Sequence, residues 1–222
     1  MQGNIKNRYN DAIAENLTEM SLRDTVYVNE DRFELYRNMK SVNIPQAIYI
    51  VSKAFKKCIS ISNVSMPRLK KISPHAFEDC SNLKSVNFPA AISIDEFAFK
   101  NCSSLGNNLE LKKVKVIKNN AFENCSGLRS ITLPSVKIIG HQAFKNCSNL
   151  EKAIINADWI HDSAFEDCFN LKSLYIPNLK IINSQIFQDC CELEEVFISK
   201  WCRLSPYAFR NAHRLYEIKY IT

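Results

Sequence analysis

Apolar residues return along this chain at intervals of about 22 positions, and the order within one interval predicts its elements. In the stretch after Leu128, Ile131 and Leu133 alternate with Ser130 and Thr132. Alternation of this kind predicts a short strand with one buried face. Pro134 ends the run, because proline cannot donate to a ladder. Val136 and Ile139 predict a second short extended piece. The unit closes with Ala143-Phe144-Lys145-Asn146-Cys147, which predicts one or two turns of α- or 3₁₀-helix. Ser73-Pro74 and Ser205-Pro206 put a capping hydroxyl and a proline where that helix would begin.

The marks of the unit recur together. The phenylalanines are Phe55, Phe77, Phe99, Phe122, Phe144, Phe165, Phe187 and Phe209, at steps of 22, 22, 23, 22, 21, 22 and 22. Three residues later come Cys58, Cys80, Cys102, Cys125, Cys147, Cys168 and Cys190, with Ala212 closing the series. Three residues later again come Ile61, Leu83, Leu105, Leu128, Leu150, Leu171, Leu193 and Leu215. Phe33, Tyr36 and Met39 fit one period earlier, which makes nine units. Self-similarity at such a period predicts a solenoid. No unit can bury its apolar side alone, and stacking turns the repeated positions into columns of one continuous core. Parallel strands stack ~4.8 Å apart, so nine units give a body roughly 40 Å long.

The pattern Leu-x-x-Ile-x-Leu-Pro, then Ile-x-x-x-Ala-Phe-x-x-Cys-x-x-Leu, resembles the BspA-like leucine-rich repeats. The resemblance covers residues 32–222, and the Phe, Cys and Leu marks recur together in seven units. Ile186 in place of Ala, Ala212 in place of Cys, and Asn108 in the 23-residue unit depart from it. It implies an α/β repeat fold: a right-handed leucine-rich-repeat solenoid with a parallel β-sheet on one face and short turns, 3₁₀ or helical pieces on the other. It also implies a non-catalytic binding or adhesive scaffold, and it transfers no catalytic residue.

Residues 1–31 precede the clear repeat and are expected to form an N-terminal cap, with residues 32–222 as the nine repeats. A short amphipathic helix is expected over Ala12–Met20 and a strand over Thr25–Val28. The cap carries three Lys/Arg against six Asp/Glu, a net −3. The repeats then hold +9 of a chain whose total is +6. At the other end the chain stops at Tyr220-Ile221-Thr222 on a repeat strand, so an uncapped C-terminal strand offers a route to self-association.

The nine cysteines do not read as a disulfide framework. Seven fill one core column as small buried hydrophobes, with side chains pointing the same way rather than at each other. Their spacing of 21 to 23 is also unlike the close pairs of a structural zinc site. Gly106, Gly127 and Gly140 stand alone and form no phosphate loop. His75, His141, His161 and His213 have no recurring acidic or nucleophilic partner. No cofactor and no enzymatic activity are expected. No stretch is apolar for ~18 residues, and the polar start Met1–Arg8 is followed by no signal-peptide core. With free thiols, that favours the cytoplasm, while the family resemblance points to the cell surface. Five Asn-x-Ser/Thr sequons, at Asn16, Asn63, Asn101, Asn124 and Asn146, do not argue for secretion, because three sit in packed Asn-Cys-Ser turns.

Candidate partner surfaces come from positions the frame leaves free. Between the two inner residues of each strand the outward position is Asn43, Ser65, Asn87, Glu110 and Thr132, then Ile154, Tyr175, Phe197 and Lys219. The change to apolar residues marks Ile154, Tyr175 and Phe197 as a protein-binding patch, with Lys219, Tyr216, Glu194 and Glu195 around it. Six residues before each Phe, a second column holds Val116, Ile138, Trp159 and Ile181, open either to partial burial under the neighbouring turn or to an alternative interface. Seven before it, Lys70, Lys115, Lys137 and Lys180 form a lysine column, crowded by Lys112, Lys113 and Lys118. That column offers a polyanion site, although no aromatics interleave with it as in a single-strand platform, which disfavours nucleic acid. A protein partner through the strand face is the leading expectation. A structural or self-associating module and polyanion binding are the alternatives.

Overall fold

The computed structural model describes residues 17–28, 33, 36–106, 109, 111–183 and 185–221. The chain winds as a solenoid of about nine coils, each coil pairing in parallel with the next. In the first ladder, Glu19–Ser21, Ser41–Asn43, Asn63–Ser65 and Ser85–Asn87 form one sheet. Ser130–Leu133, Lys152–Ile155, Ser173–Ile176, Glu195–Ser199 and Glu217–Ile221 form another. The break between them falls at the 23-residue unit, where Asn108 and Glu110 lie outside the described residues. Pairing runs one period apart in strict register: Val42 opposite Val64, Val64 opposite Val86, Leu174 opposite Val196. Register and burial are coupled here, because a slip of one residue would turn every inner side chain outward.

A second ladder is built from two-residue strands. Lys71–Ile72, Ser93–Ile94, Val116–Ile117, Ile138–Ile139 and Trp159–Ile160 form one sheet, and Ile181–Ile182 pairs with Arg203–Leu204. Tyr27–Val28 pairs with Tyr49–Ile50, so the strand expected near Thr25–Val28 is present. In each pair except the last, Arg203–Leu204, the second residue is buried and the first faces out.

The third side differs from the helix expected there. No α-helix occurs among the described residues, and the Ala-Phe-x-x-Cys stretches are chains of turns. In the units of Phe55 to Phe187, two residues each, two before and two after the Phe, adopt left-handed backbone angles, as in His75 (φ 58°) and Asp79 (φ 63°) around Phe77. Such angles interrupt an α-helix. They aim alternate N–H groups at the next coil instead: His75 donates to Glu96 O at 3.0 Å, Phe77 to Ala98 O at 2.8 Å and Asp79 to Lys100 O at 2.9 Å. Coils are thus bonded to their neighbours on the turn side as well as along the two strand ladders, and inter-coil bonds take the place of intrahelical ones. Ser73 follows the same logic. Its buried hydroxyl donates to Ile50 O of the preceding coil at 2.6 Å rather than capping a helix.

The helix expected over 12–20 falls largely outside the described residues. Its last two, Glu19 and Met20, are in a strand, with Met20 opposite Val42. The period reaches further back than the Phe marks: Met20 and Leu22 are buried as Val42 and Ile44 are.

The core is a set of stacked columns. Phe33, Phe55, Phe77, Phe99, Phe122, Phe144, Phe165 and Phe187 are fully buried. Neighbouring rings lie between 4.4 Å (Phe33–Phe55) and 5.7 Å (Phe187–Phe209) apart. All nine cysteines are free thiols, and the seven of the column are buried. Their S–H groups have partners: Cys80 donates to Phe55 O at 3.0 Å, Cys125 to Phe99 O at 3.1 Å and Cys168 to Phe144 O at 3.2 Å. A small apolar residue with a weak donor therefore suits this position better than alanine would. Gly127 serves close approach, since a Cβ there would lie 2.7 Å from Leu105 O.

Two polar ladders run up the turn side. One residue after the Phe, lysine and glutamate alternate: Lys56 pairs with Glu78 at 2.5 Å, Lys100 with Glu123 at 2.7 Å and Lys145 with Glu166 at 3.0 Å. One residue further on, Asn101 donates to Asp79 at 2.7 Å, Asn124 to Asn101 at 2.7 Å and Asn146 to Asn124 at 2.8 Å. These asparagines and aspartates occupy left-handed positions that they tolerate better than most residues. Both ladders favour neighbouring coils in this order and register.

Candidate partner-binding surface

Parallel pairing brings the expected patch together. Thr132 lies opposite Ile154, Ile154 opposite Tyr175, Tyr175 opposite Phe197, and Phe197 opposite Lys219. Thr132, Ile154, Tyr175 and Phe197 point outward because their strand neighbours, such as Leu174 and Ile176 around Tyr175, are buried. The Tyr175 and Phe197 ring centroids are 6.0 Å apart and tilted by 45°, a favourable aromatic geometry. Lys219 Nζ sits 4.9 Å from the Phe197 ring centroid. Tyr175 is 37% exposed, while Ile154 and Phe197 are half-buried between their neighbours.

The charged rim is ordered. Lys219 Nζ reaches Glu195 and Glu217, each at 3.0 Å. Ser173 Oγ donates to Glu195 at 3.1 Å. Hydrogen bonds from Lys219 and then Ser173 hold the Glu195 carboxyl below its ordinary value. Bonds to Glu217 and then Glu195 hold the Lys219 ammonium above its own. Glu195 therefore stays anionic and Lys219 cationic across the physiological range. Glu194 lies just before its strand, half-buried beside this rim. Tyr216 also precedes its strand, Glu217–Ile221, rather than lying on it; its N–H donates to Glu194 O and its ring is 72% exposed. Ser173 and Glu217 belong to the rim as well. Their sequence signal was their place one coil below and one coil above Glu195 in the same frame.

The first sheet looks different. Beyond the exposed Glu19 and Ser21 of its first strand, its outward residues are Ser41, Asn43, Asn63, Ser65, Ser85 and Asn87, lining an uncharged groove of about 420 Å³. They bond to one another across coils: Asn63 donates to Ser85 at 2.6 Å and Asn87 to Ser65 at 3.1 Å.

The second column is the outward row of the second ladder. Val116 lies opposite Ile138, and Ile138 opposite Trp159. Trp159 is 47% exposed, Ile138 and Ile181 are exposed, and Val116 is half-buried, so the neighbouring turns do not cover the row. Lys70, Lys115, Lys137 and Lys180 are all exposed. Their column also holds Ile92 and Asp158, and Lys137 pairs with Asp158 at 3.2 Å. The expected lysine stripe is thus interrupted twice.

At the C-terminal end, positions that are buried in earlier coils are open. Trp201, which follows Leu179 in its column, is 78% exposed, and Tyr220, opposite the buried Ile198, is 59% exposed. Among the described residues, no three His, Cys, Asp or Glu side chains are grouped to hold a metal ion. No helix among them is long and apolar enough to cross a membrane.

Comparison with known proteins bears on the fold. The model of the BspA type leucine rich repeat region matches in six copies, over residues 12–110 and 92–216. A leucine-rich repeat protein of Bacteroides ovatus is similar in structure at 20% identity and a TM-score of 0.56, over 89% of this chain and 65% of that one. The Leucine Rich Repeat protein of T. pallidum is similar at 23% identity and a TM-score of 0.55, over 90% and 78%. A leucine rich cell surface protein of Faecalibacterium prausnitzii aligns at 20% identity and a TM-score of 0.46, over 93% and 79%. No curated protein sequence matches the chain.

Proposed function

The chain belongs to the BspA-type leucine-rich repeat family, and from that premise we propose that it is a non-catalytic scaffold for protein recognition. Its contact is carried by the outward face of the C-terminal sheet, centred on Ile154, Tyr175 and Phe197. The observation that carries this reading is the change along one column. Neutral polar residues at Asn43, Ser65 and Asn87 give way to an aromatic pair capped by a lysine, while the inner columns stay apolar in both sheets. The coil needs no aromatic at an outward position, since Ser65 and Asn87 fill the same place. An aromatic centre inside a charged rim has the composition of an interface hot spot. The free, buried thiols support a reducing compartment.

The test is affinity capture from native lysate, with the bound protein identified by mass. Tyr175→Ala with Phe197→Ala should abolish its capture and leave the melting temperature nearly unchanged. Capture that survives this double change, and is lost instead with alanines at Val116, Ile138, Trp159 and Ile181, would move the interface to the second ladder.

A second reading is supported by the exposure of Trp201 and Tyr220: self-association through the C-terminal end. Light scattering on the purified chain, with and without Trp201→Ser, separates it from the first.

A further inference from the structure

The lysine column and the exposed apolar row are adjacent, and they form one surface. Lys115 immediately precedes Val116, Lys137 precedes Ile138, and Lys180 precedes Ile181. Across coils the row Val116, Ile138 and Trp159 is continuous by backbone pairing, and Ile181 holds the same position one coil on. Coils stack ~4.8 Å apart, so the four residues make a ridge roughly 14 Å long and one side chain wide. On one flank stand the exposed Lys115, Lys137 and Lys180, with Lys113 beside Lys115. On the other flank lie Lys118 and His161.

This surface does not overlap the patch assigned above, which belongs to the other ladder. Nor does packing account for it. The residue after each ridge position is the one that enters the core: Ile117, Ile139, Ile160 and Ile182 are buried. The ridge positions tolerate polar residues, because Ser93 and Lys71 occupy the same column in earlier coils.

We infer that this side of the solenoid is a docking face for an extended acidic peptide with apolar residues between its carboxylates. Charge complementarity selects the sign. The flanking lysines would attract a carboxylate-bearing chain, and the ridge would receive its apolar side chains. Shape selects a chain over a bilayer, because the apolar element is a line rather than a plane. Asp158, paired with Lys137 at 3.2 Å, and Glu96, paired with Lys118 at 3.3 Å, offset part of the flank's positive charge, so Lys115 and Lys180 carry most of the attraction for the peptide's carboxylates. The interleaved apolar row equally separates this surface from a bare polyanion site. An extended chain rises ~3.3 Å per residue, so about five residues would span the ridge.

The test uses a fluorescein-labelled octapeptide of alternating glutamate and leucine, read by anisotropy at low and moderate salt. Only Trp159 and Trp201 emit as tryptophan, and Trp201 is well exposed. In a Trp201→Phe background, Trp159 emission therefore reports on the ridge directly. The expected result is saturable binding that weakens with salt, with a blue shift of Trp159. Lys115→Glu with Lys180→Glu should weaken binding at least tenfold, and so should Ile138→Ser with Trp159→Ser, with unchanged melting temperatures. Tyr175→Ala with Phe197→Ala should leave it intact, which keeps this inference separate from the strand-face interface. Absence of binding overturns the inference. Equal binding of an all-glutamate octapeptide overturns it in favour of a bare polyanion site. Binding to phosphatidylserine vesicles but not to the peptide overturns it in favour of a membrane surface.

Discussion

In the strand Asn63–Ser65 the outward residues are Asn63 and Ser65, and in Glu195–Ser199 they include Glu195 and Phe197. The inward residues at the paired position, Val64 and Val196, are the same type and equally buried. Two sheets of one solenoid thus share an interior and differ at the surface. The interior is fixed by stacking, because each inner side chain must pack against its copy one coil above and below. The outward positions carry no such demand. After Glu19 in its first strand, the N-terminal sheet fills them with serines and asparagines that bond among themselves, and the C-terminal sheet with a tyrosine, a phenylalanine and a lysine. What differs between the sheets is therefore informative about recognition, and what they share is informative about stability.

The largest effects should fall on the shared part, and equally in both halves. Phe77 and Phe144 are each fully buried between stacked rings on both sides. Phe77→Ala and Phe144→Ala should each cost about 3–5 kcal/mol by denaturant titration, the range for buried aromatic truncation. A loss under about 1 kcal/mol at either site would show that the halves do not share a core.

A smaller cost is expected at Gly127, near the junction of the sheets. Gly127→Ala would bring a methyl against backbone carbonyls of the preceding coil, Leu105 O and Ser103 O. Overpacking of this kind costs about 1–3 kcal/mol. An unchanged denaturation midpoint would show that the coils separate there at little cost.

The thiol column gives a pH signature common to both halves. Burial pushes the Cys80 thiol up to about 12 from an ordinary 9.0, and pushes Cys102, Cys147, Cys168 and Cys190 well up too. A raised pKa means the folded state holds its proton more tightly than the unfolded one. That stabilisation is complete below pH 9 and falls as the pH rises from there toward 12. The midpoint of denaturation should drop over this window, less so in Cys80→Ala or Cys147→Ala, and thiol labelling of the native protein should stay slow at pH 8. Rapid labelling of the column at that pH would contradict it.

The smallest effect on stability should come from the part that differs. Asn43→Ala with Ser65→Ala, and Tyr175→Ala with Phe197→Ala, should both leave the melting temperature nearly unchanged. Only the second pair should affect partner capture.

The frame itself made much of this readable from sequence. A 22-residue register places Ile154, Tyr175 and Phe197 side by side, because in a parallel stack equal positions in successive units must be neighbours. The turn side was harder to read. Ala-Phe-x-x-Cys has the local look of a short helix, yet hydrogen bonding to the next coil wins, and left-handed residues carry it. Those residues include lysine, histidine, phenylalanine and glutamine as well as asparagine, so no single residue type announces them. The signal that was present is the run Asp79, Asn101, Asn124, Asn146, Asp167, Asp189 and Asn211, two places after the Phe in the units from Phe77 on. The alternation of lysine and glutamate one place earlier was equally visible. Exposure of Trp159 could not be read, because a two-residue strand gives too little alternation to tell its faces apart.

The proposed interface puts the aromatic half of the strand face, and not the polar half, against the partner. Site-specific photocrosslinking tests it most directly, with benzoylphenylalanine placed singly at Tyr175, Ser65 and Trp159 in the full chain. Position 175 should give a crosslinked partner of one mass, and position 65 none. A crosslink from position 65 or 159 to that partner, with position 175 silent, would contradict it.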